Sequence, residues 1–398
     1  MPPAAEDASA LVAQLRYHLG CKDFAAATQA CTTVYAITGQ GEEGCRQILA
    51  AGGMGALADL LAALQRSRTR DASTLLMPAA AIADLVRECG EDGWRAALGC
   101  AAIPALVQLL HFHGGKAQQQ REEEEVARYT AMDGLCTLAN CSEECRRAIA
   151  GAPGGAVQRL VQFLGPAYSA HINDGALTAL HALLVPESER VLSAFASAGG
   201  IPPLVRLLTA GGRASSRSLR IACNAVSALT YKCPARTEAM AACRTIPAVV
   251  GLLGHSDLTV AAAAAGALAN LVLCSPDRSN TAVAAEAMPP LLRLLRQQDD
   301  SCILPALSAL YCLVFNSKAA LRALVSKGAA SALQQVADSS SADKQVRELA
   351  SETLAWVRAR VCAGPGCRHG WAAPLRQLPR RALLQRALPA LGLAGAQG

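Results

Sequence analysis

One module returns along the chain and decides what it can fold into. Ala102-Ile103-Pro104-Ala105-Leu106-Val107-Gln108-Leu109-Leu110 reappears as Gly200-Ile201-Pro202-Pro203-Leu204-Val205-Arg206-Leu207-Leu208, and again as Thr245-Ile246-Pro247-Ala248-Val249-Val250-Gly251-Leu252-Leu253. Repeats of about 40 to 47 residues cannot each bury their own apolar face, so they stack side by side into a solenoid. A solenoid presents a long binding surface rather than an enclosed pocket.

Aligned on Ile103, the copies begin at Met54, Ile103, Val157, Ile201, Ile246, Met288 and Ala330, with separations of 49, 54, 44, 45, 42 and 42 residues. A worn eighth copy starts near Ala8, at Leu11-Val12-Ala13-Gln14-Leu15. The two long intervals carry their surplus in polar stretches, Arg66 to Asp71 and Gly114 to Arg121, where insertions fall in loops. Glu122 to Glu125 reads as the solvated first turn of the helix that follows, and residues 111–125, like 361–398, are expected to be poorly ordered at least in part.

Each unit reads as three helices. The first contains the Ile-Pro stretch, with proline in its opening turn, where a missing N–H costs nothing. A longer one follows, as in Val260 to Leu271, with Val260, Ala264, Leu268 and Leu271 on one stripe. A short third helix leads into the next unit, as in Arg278 to Ala287.

The order of these residues resembles the armadillo repeat family, whose consensus runs through Gly-Ala-Ile-Pro-x-Leu-Val-x-Leu-Leu, then Ser-x-Asp, then Ala-Leu-x-Asn-Leu. Residues 246–288 match it best: Ile246-Pro247, Leu252-Leu253, Ser256-Asp257 (one residue tighter) and Ala267-Leu268-Ala269-Asn270-Leu271. The related HEAT repeat is the alternative. The resemblance implies an all-α, right-handed superhelical solenoid of about seven to eight armadillo-like repeats over residues 8–360. Residues 1–7 would be a disordered N-terminus, and 361–398 an Arg-, Pro- and Gly-rich disordered tail. It further implies that the long helices line a concave groove holding an extended or helical segment of a partner protein.

Read one rung at a time, the groove positions equivalent to Asn270 are Ala36, Asp84, Thr137, Ala179, Ala228, Cys312 and Trp356. One turn earlier stand Thr32, Ala80, Asp133, Gly175, Asn224, Gly266, Ser308 and Glu352. Importin-alpha, a member of the family, repeats Asn at the first position and Trp at the second. Only Asn270 keeps the Asn here and no Trp stands at the second, so a nuclear-signal receptor is disfavoured. The candidate groove residues are Asn270, Gly266, Asn224, Asp84, Asp133 and Thr137. Asn270 has two readings, contact with a partner's backbone or satisfaction of local backbone groups.

Composition narrows the function classes. The formal charge of +6 is a tail property: residues 353–398 hold seven arginines and no acid, leaving −1 for everything before them. Phosphate binding needs basic residues spread along the surface, which argues against nucleic acid as the groove's ligand. Sixteen cysteines occur without a C-x-x-C, and Glu6 and Asp7 stand where a secretory signal needs a basic start, so a reducing compartment is expected. Most cysteines, among them Cys31, Cys136, Cys223, Cys274 and Cys312, fit helical patterns as small buried hydrophobes. Cys136 with Cys141 and Cys145, and Cys362 with Cys367 and His369, are irregular trios that leave metal binding open.

No nucleophile elbow, zinc-protease helix or phosphate-binding loop is present, and no motif calls for a cofactor or a small-molecule substrate. No apolar run is long enough to span a bilayer. The expected function is a non-catalytic scaffold or adaptor that binds another protein, cytoplasmic, with nuclear or cytoskeletal and ciliary placements as alternatives. Two other functions remain: an Hsp70 co-chaperone that exchanges nucleotide, and binding of an anionic membrane or RNA by the basic tail.

Overall fold

The computed structural model describes residues 5–362, apart from 68–71, 114–117, 185–187, 210–213, 298 and 341. Among the described residues there are 22 helices and no strand. The chain divides into two compact units, Met1–Gly200 and Ile201–Gly398.

The first unit contains α1 (Ala5–Gly20), α2 (Phe24–Thr38), α3 (Glu42–Ala50), α4 (Gly53–Arg66), α5 (Ala72–Leu98), α6 (Ala102–Leu109), α7 (Gln118–Cys141), α8 (Glu143–Gly151), α9 (Ala156–Phe163), α10 (Ala170–Leu184) and α11 (Glu189–Ser197). The second contains α12 (Ile201–Leu208), α13 (Ser216–Thr230), α14 (Pro234–Ala242), α15 (Thr245–Leu252), α16 (Leu258–Val272), α17 (Pro276–Ala284), α18 (Met288–Leu294), α19 (Asp300–Asn316), α20 (Lys318–Ser326), α21 (Ala329–Ala337) and α22 (Lys344–Cys362). Every repeat marker from Met54 to Ala330 falls on the first or second residue of an Ile-Pro-type helix.

The boundaries follow from local chemistry. Asp23, Ser142, Ser215, Asp257, Ser275, Asp299 and Ser317 each accept a backbone N–H from the first turn of the helix they precede. Pro234 and Pro276 open α14 and α17 where no N–H is needed. Several turns into Ile-Pro-type helices use a left-handed residue: Gly52 (φ 77°) and Gly328 (φ 67°) supply it without strain, whereas Arg244 (φ 60°) and Glu286 (φ 64°) bear the cost of a side chain there, and α6 opens instead from Ala101 at φ −80°. α5 fuses a long helix with the next short one across Gly90, whose φ of 53° breaks the helical path.

Packing within each unit follows the layers expected from the pattern. In the first, α2, α5, α7 and α10 contact one another in succession; in the second, α13, α16, α19 and α22 do so. Ile-Pro-type helices pair separately, as α4 with α6 and α12 with α15. Leu57, Leu106, Leu160, Leu268 and Leu313 are completely buried. Three arginines repeat one device, each reaching seven residues back to a carbonyl near the end of a long helix: Arg146 to Ala139 at 2.7 Å, Arg236 to Leu229 at 2.8 Å and Arg278 to Leu271 at 2.6 Å. They satisfy carbonyls that a helix end leaves without partners and place positive charge at its negative pole.

Several expectations change. α1 begins at Ala5, so residues 5–7 are helical; residues 1–4 lie outside the described residues, as does the tail from 363 onward, including Cys367 and His369. Cys362 is the last residue of α22. Within 111–125, residues 114–117 lie outside the described residues, and α7 starts at Gln118, which puts Glu122 to Glu125 in its second turn rather than its first. Those acids are also not a uniformly solvated run. Glu124 pairs with Arg128, which is 5% exposed, and Glu125 accepts the Ser169 hydroxyl at 2.8 Å.

Cys31, Cys223 and Cys312 are buried, and burial pushes their thiols up to about 12. Cys136 is half-buried, and Cys274 is exposed in a left-handed turn (φ 58°), because it falls between the long helix α16 and the short helix α17 rather than within either. Cys141 donates to the Thr137 carbonyl at 3.2 Å and Cys145 is buried. Among the described residues no group of three His, Cys, Asp or Glu is placed to hold a metal ion. No single described helix is long and apolar enough to cross a membrane.

Candidate functional site, the uncovered face of the long helices

The long helices differ in how much of their groove-facing stripe remains open. On α7 the residues Glu122, Val126, Tyr129, Asp133 and Asn140 are exposed and Thr137 is half-buried; the spacing of three to four places them along one face. Val126 is 50% exposed and Tyr129 36%, on a helix whose other apolar residues, such as Met132, Leu135 and Leu138, are buried. Thr137 bonds its own helix, Oγ1 to the Asp133 carbonyl at 2.9 Å.

Neighbouring helices add to this face. Arg87 of α5 lies between two carboxylates, 2.8 Å from Asp84 on its own helix and 3.0 Å from Asp133 on α7. The structure thus brings together two residues that the sequence singled out separately, through a third that it did not. Burial pushes the Asp84 carboxyl above the usual carboxylate value, and the charge and hydrogen bond of Arg87 pull it back. Arg87 and Asp133 are about half exposed (47% and 51%), so water competes for both; pairs of this kind contribute about 0 to 1 kcal/mol.

On the other side, the Tyr129 ring stacks on His171 of α10 with centroids 4.0 Å apart and planes at 19°. Gly175 makes room for that ring, since a Cβ there would lie 3.0 Å from Tyr129 Cδ2 and 3.1 Å from Met132 Sδ. The sequence places Gly175 on a rung of the long helices, and only the packing shows that a neighbour's ring fills the space beside it.

In the second unit the candidate residues are more enclosed. Asn270 is 6% exposed, and its Nδ2 donates to the Ser227 carbonyl of α13 at 3.3 Å. The amide therefore has the local role that the sequence weighed against partner contact. Gly266 is buried one turn earlier on α16, and Asn224 is half-buried on α13. Asp84, Asp133 and Thr137 belong to the first unit, and Asn224, Gly266 and Asn270 to the second.

A buried ionic cluster lies beside the α7 face and was not legible in the sequence. The Arg128 guanidinium pairs with Glu124, donates to the Phe112 carbonyl at 2.8 Å, lies 3.0 Å from His113 Nδ1 and rests over the Phe163 ring at 5.4 Å. Arg159 covers the same ring at 4.7 Å. These contacts fasten the start of α7 to α9 and to the end of the preceding segment. The only sequence signal was a Glu and an Arg four residues apart, which is more often a surface pair.

No protein-family model matches the sequence, and no curated protein matches it. Solved structures do. An engineered protein from a structural genomics consortium superposes with a TM-score of 0.66 at 20% identity, over 89% of this chain and 95% of that one. A designed armadillo repeat protein gives 0.55 at 22% identity, over 64% of this chain and 99% of its own. Another designed armadillo repeat protein, solved in complex with the peptide (KR)4, gives 0.53 at 22%, over 64% and 98%. At these identities the likeness is one of fold: the chain is an all-helical protein of the armadillo repeat type.

Proposed function

We propose that this protein is a non-catalytic scaffold that binds a segment of another protein along the exposed face of its long helices. The observation that carries this reading is the open stripe of α7, where Val126 and Tyr129 stand uncovered among polar neighbours while the apolar residues around them are buried. Two exposed apolar side chains one turn apart, framed by polar groups, give a partner segment a place to bury apolar surface and a rim to hydrogen-bond. The designed neighbour solved with (KR)4 supports use of this fold for peptide binding. The absence of nucleophile, metal and phosphate-cradle patterns in the sequence supports the non-catalytic part.

An extended segment suits the geometry, because Asp84 on α5, Tyr129 and Asp133 on α7 and His171 on α10 come from successive helices of one row. Asn270, Gly266 and Asn224 are the corresponding stretch of the second unit. The Asn270 nitrogen already bonds Ser227, so a partner there meets a narrower set of free groups.

The test is site-specific photo-crosslinking of the full chain in its native cell. A crosslinking side chain at Val126 or Asn140 is expected to capture a partner protein, and one at Gln158, exposed on α9, to capture none. Capture at Gln158 with none at the α7 positions would move the working surface to the Ile-Pro-type helices and overturn the proposal.

A further inference from the structure

A cleft of about 400 Å³ lies against the Ile-Pro-type helices of the first unit, and among the described residues none of α5, α7 or α10 lines it. Its apolar wall is Ala62 of α4, then Ala101, Pro104 and Ala105 at the start of α6, and Phe112. Gln65, Arg66, Gln108, His111 and His113 add polar groups, with no carboxylate among them. We infer that this cleft is a second binding site, for a small organic monocarboxylate whose flat apolar body packs on the alanines and Phe112 while its carboxylate meets the Arg66 guanidinium. The site is independent of the partner surface, since the two use different helices.

Much of the wall is fastened by its own hydrogen bonds. Gln65 donates from Nε2 to the Ala105 carbonyl at 2.8 Å, tying α4 to α6. His111 Nε2 lies 2.8 Å from the Gly154 carbonyl, which only accepts, so the ring hydrogen sits on that nitrogen. Gly154 has φ 102°, and a Cβ on it would lie 3.1 Å from Gln108 Nε2, so glycine suits this close approach. Arg128 fixes the next two residues, donating to the Phe112 carbonyl at 2.8 Å and to His113 Nδ1 at 3.0 Å. Groups held in this way have little freedom left to lose when a ligand arrives.

Other donors of the wall are uncommitted. Arg66 and Gln108 are exposed and make no hydrogen bond or ion pair with the described residues. An arginine only donates, so His113 accepts at Nδ1 and carries its hydrogen on Nε2, a donor without a partner among the described residues. Charge then selects the ligand. Glu124 lies 3.4 Å from His113 Nδ1, and Arg128 offsets its charge, which leaves the single positive charge of Arg66 at the wall. One guanidinium fork matches one carboxylate in charge and in planar shape. A phosphate dianion would keep one charge uncompensated, and a cationic ligand would meet repulsion. The volume is that of a site for a small molecule, and the alanines and Phe112 give an apolar ring a surface to leave water on.

The experiment titrates the full chain with 2-naphthoate, its neutral amide 2-naphthamide, and acetate, followed by ligand-observed NMR. 2-Naphthoate is expected to bind with a dissociation constant on the order of 0.1 to 1 mM, the range open to a ligand of its size. The amide lacks the charge and acetate lacks the ring, so each should bind at least about five-fold more weakly. Arg66→Gln should weaken 2-naphthoate about three- to ten-fold. Arg206→Gln, the same change of charge at an exposed arginine of α12, should leave it unchanged. Ala101→Phe places a ring in the cleft from an exposed position and should remove binding. Thermal unfolding of each variant checks that the helices remain packed, and the comparison of Arg66→Gln with Arg206→Gln decides if Ala101→Phe unfolds.

No saturable binding of 2-naphthoate, equal binding of the amide, or an affinity that Arg66→Gln leaves unchanged overturns the inference. None of these results touches the partner surface of α5, α7 and α10, which the crosslinking experiment tests by itself.

Discussion

Leu268→Ala is expected to lower the stability of the second unit by about 2 to 5 kcal/mol. Leu268 is completely buried on α16, and α16 packs against α13, α15 and α19. The loss has two parts: the removed methyl and methylene groups no longer leave water on folding, and neighbouring helices close the resulting cavity incompletely. Because repeat proteins share stability across neighbouring interfaces, the effect should extend to α13 and α19. Denaturant titration gives the magnitude, and amide exchange gives the spread. An unchanged denaturation midpoint would mean that this stripe of α16 does not face the core.

The second large effect is expected from Glu124→Ala, which strands the Arg128 guanidinium where it is 5% exposed. Breaking one side of a buried pair costs about 3 to 5 kcal/mol, because the remaining charge loses its partner without regaining water. The bonds from Arg128 to the Phe112 carbonyl and toward His113 remain, and they favour the lower part of that range. The double variant Glu124→Ala with Arg128→Met removes both charges and should recover most of the loss. A cost for Glu124→Ala below about 1 kcal/mol, the value of an exposed pair, would contradict the burial of this cluster.

Sequence periodicity carried the fold because the repeat writes the same physical requirements many times. Each marker from Met54 to Ala330 combines an apolar entry to a helix with a left-handed or proline-bearing turn, and seven occurrences average out local noise. The site is legible only in part, since its contacts join different helices. Asp84 and Asp133 stand out by position, yet the residue that links them, Arg87, lies off the aligned rungs. Tyr129 has no partner in the sequence near it; His171 reaches it from the next long helix. Asn270 occupies the family's groove position, and only the packing shows its nitrogen bonded to Ser227. Glu122 to Glu125 reads as solvent-facing charge, because four acids in a row give no sign that one of them meets a buried arginine two turns from the insertion.

The central claim is that partner binding uses the row of long helices, and amide hydrogen exchange of the full chain, with and without a partner isolated from the native cell, tests it most directly. Bound partner is expected to slow exchange in peptides from α5, α7 and α10 of the first unit, with α6 and α9 unchanged. Protection confined to α6 and α9, with none on α5, α7 and α10, would contradict the account.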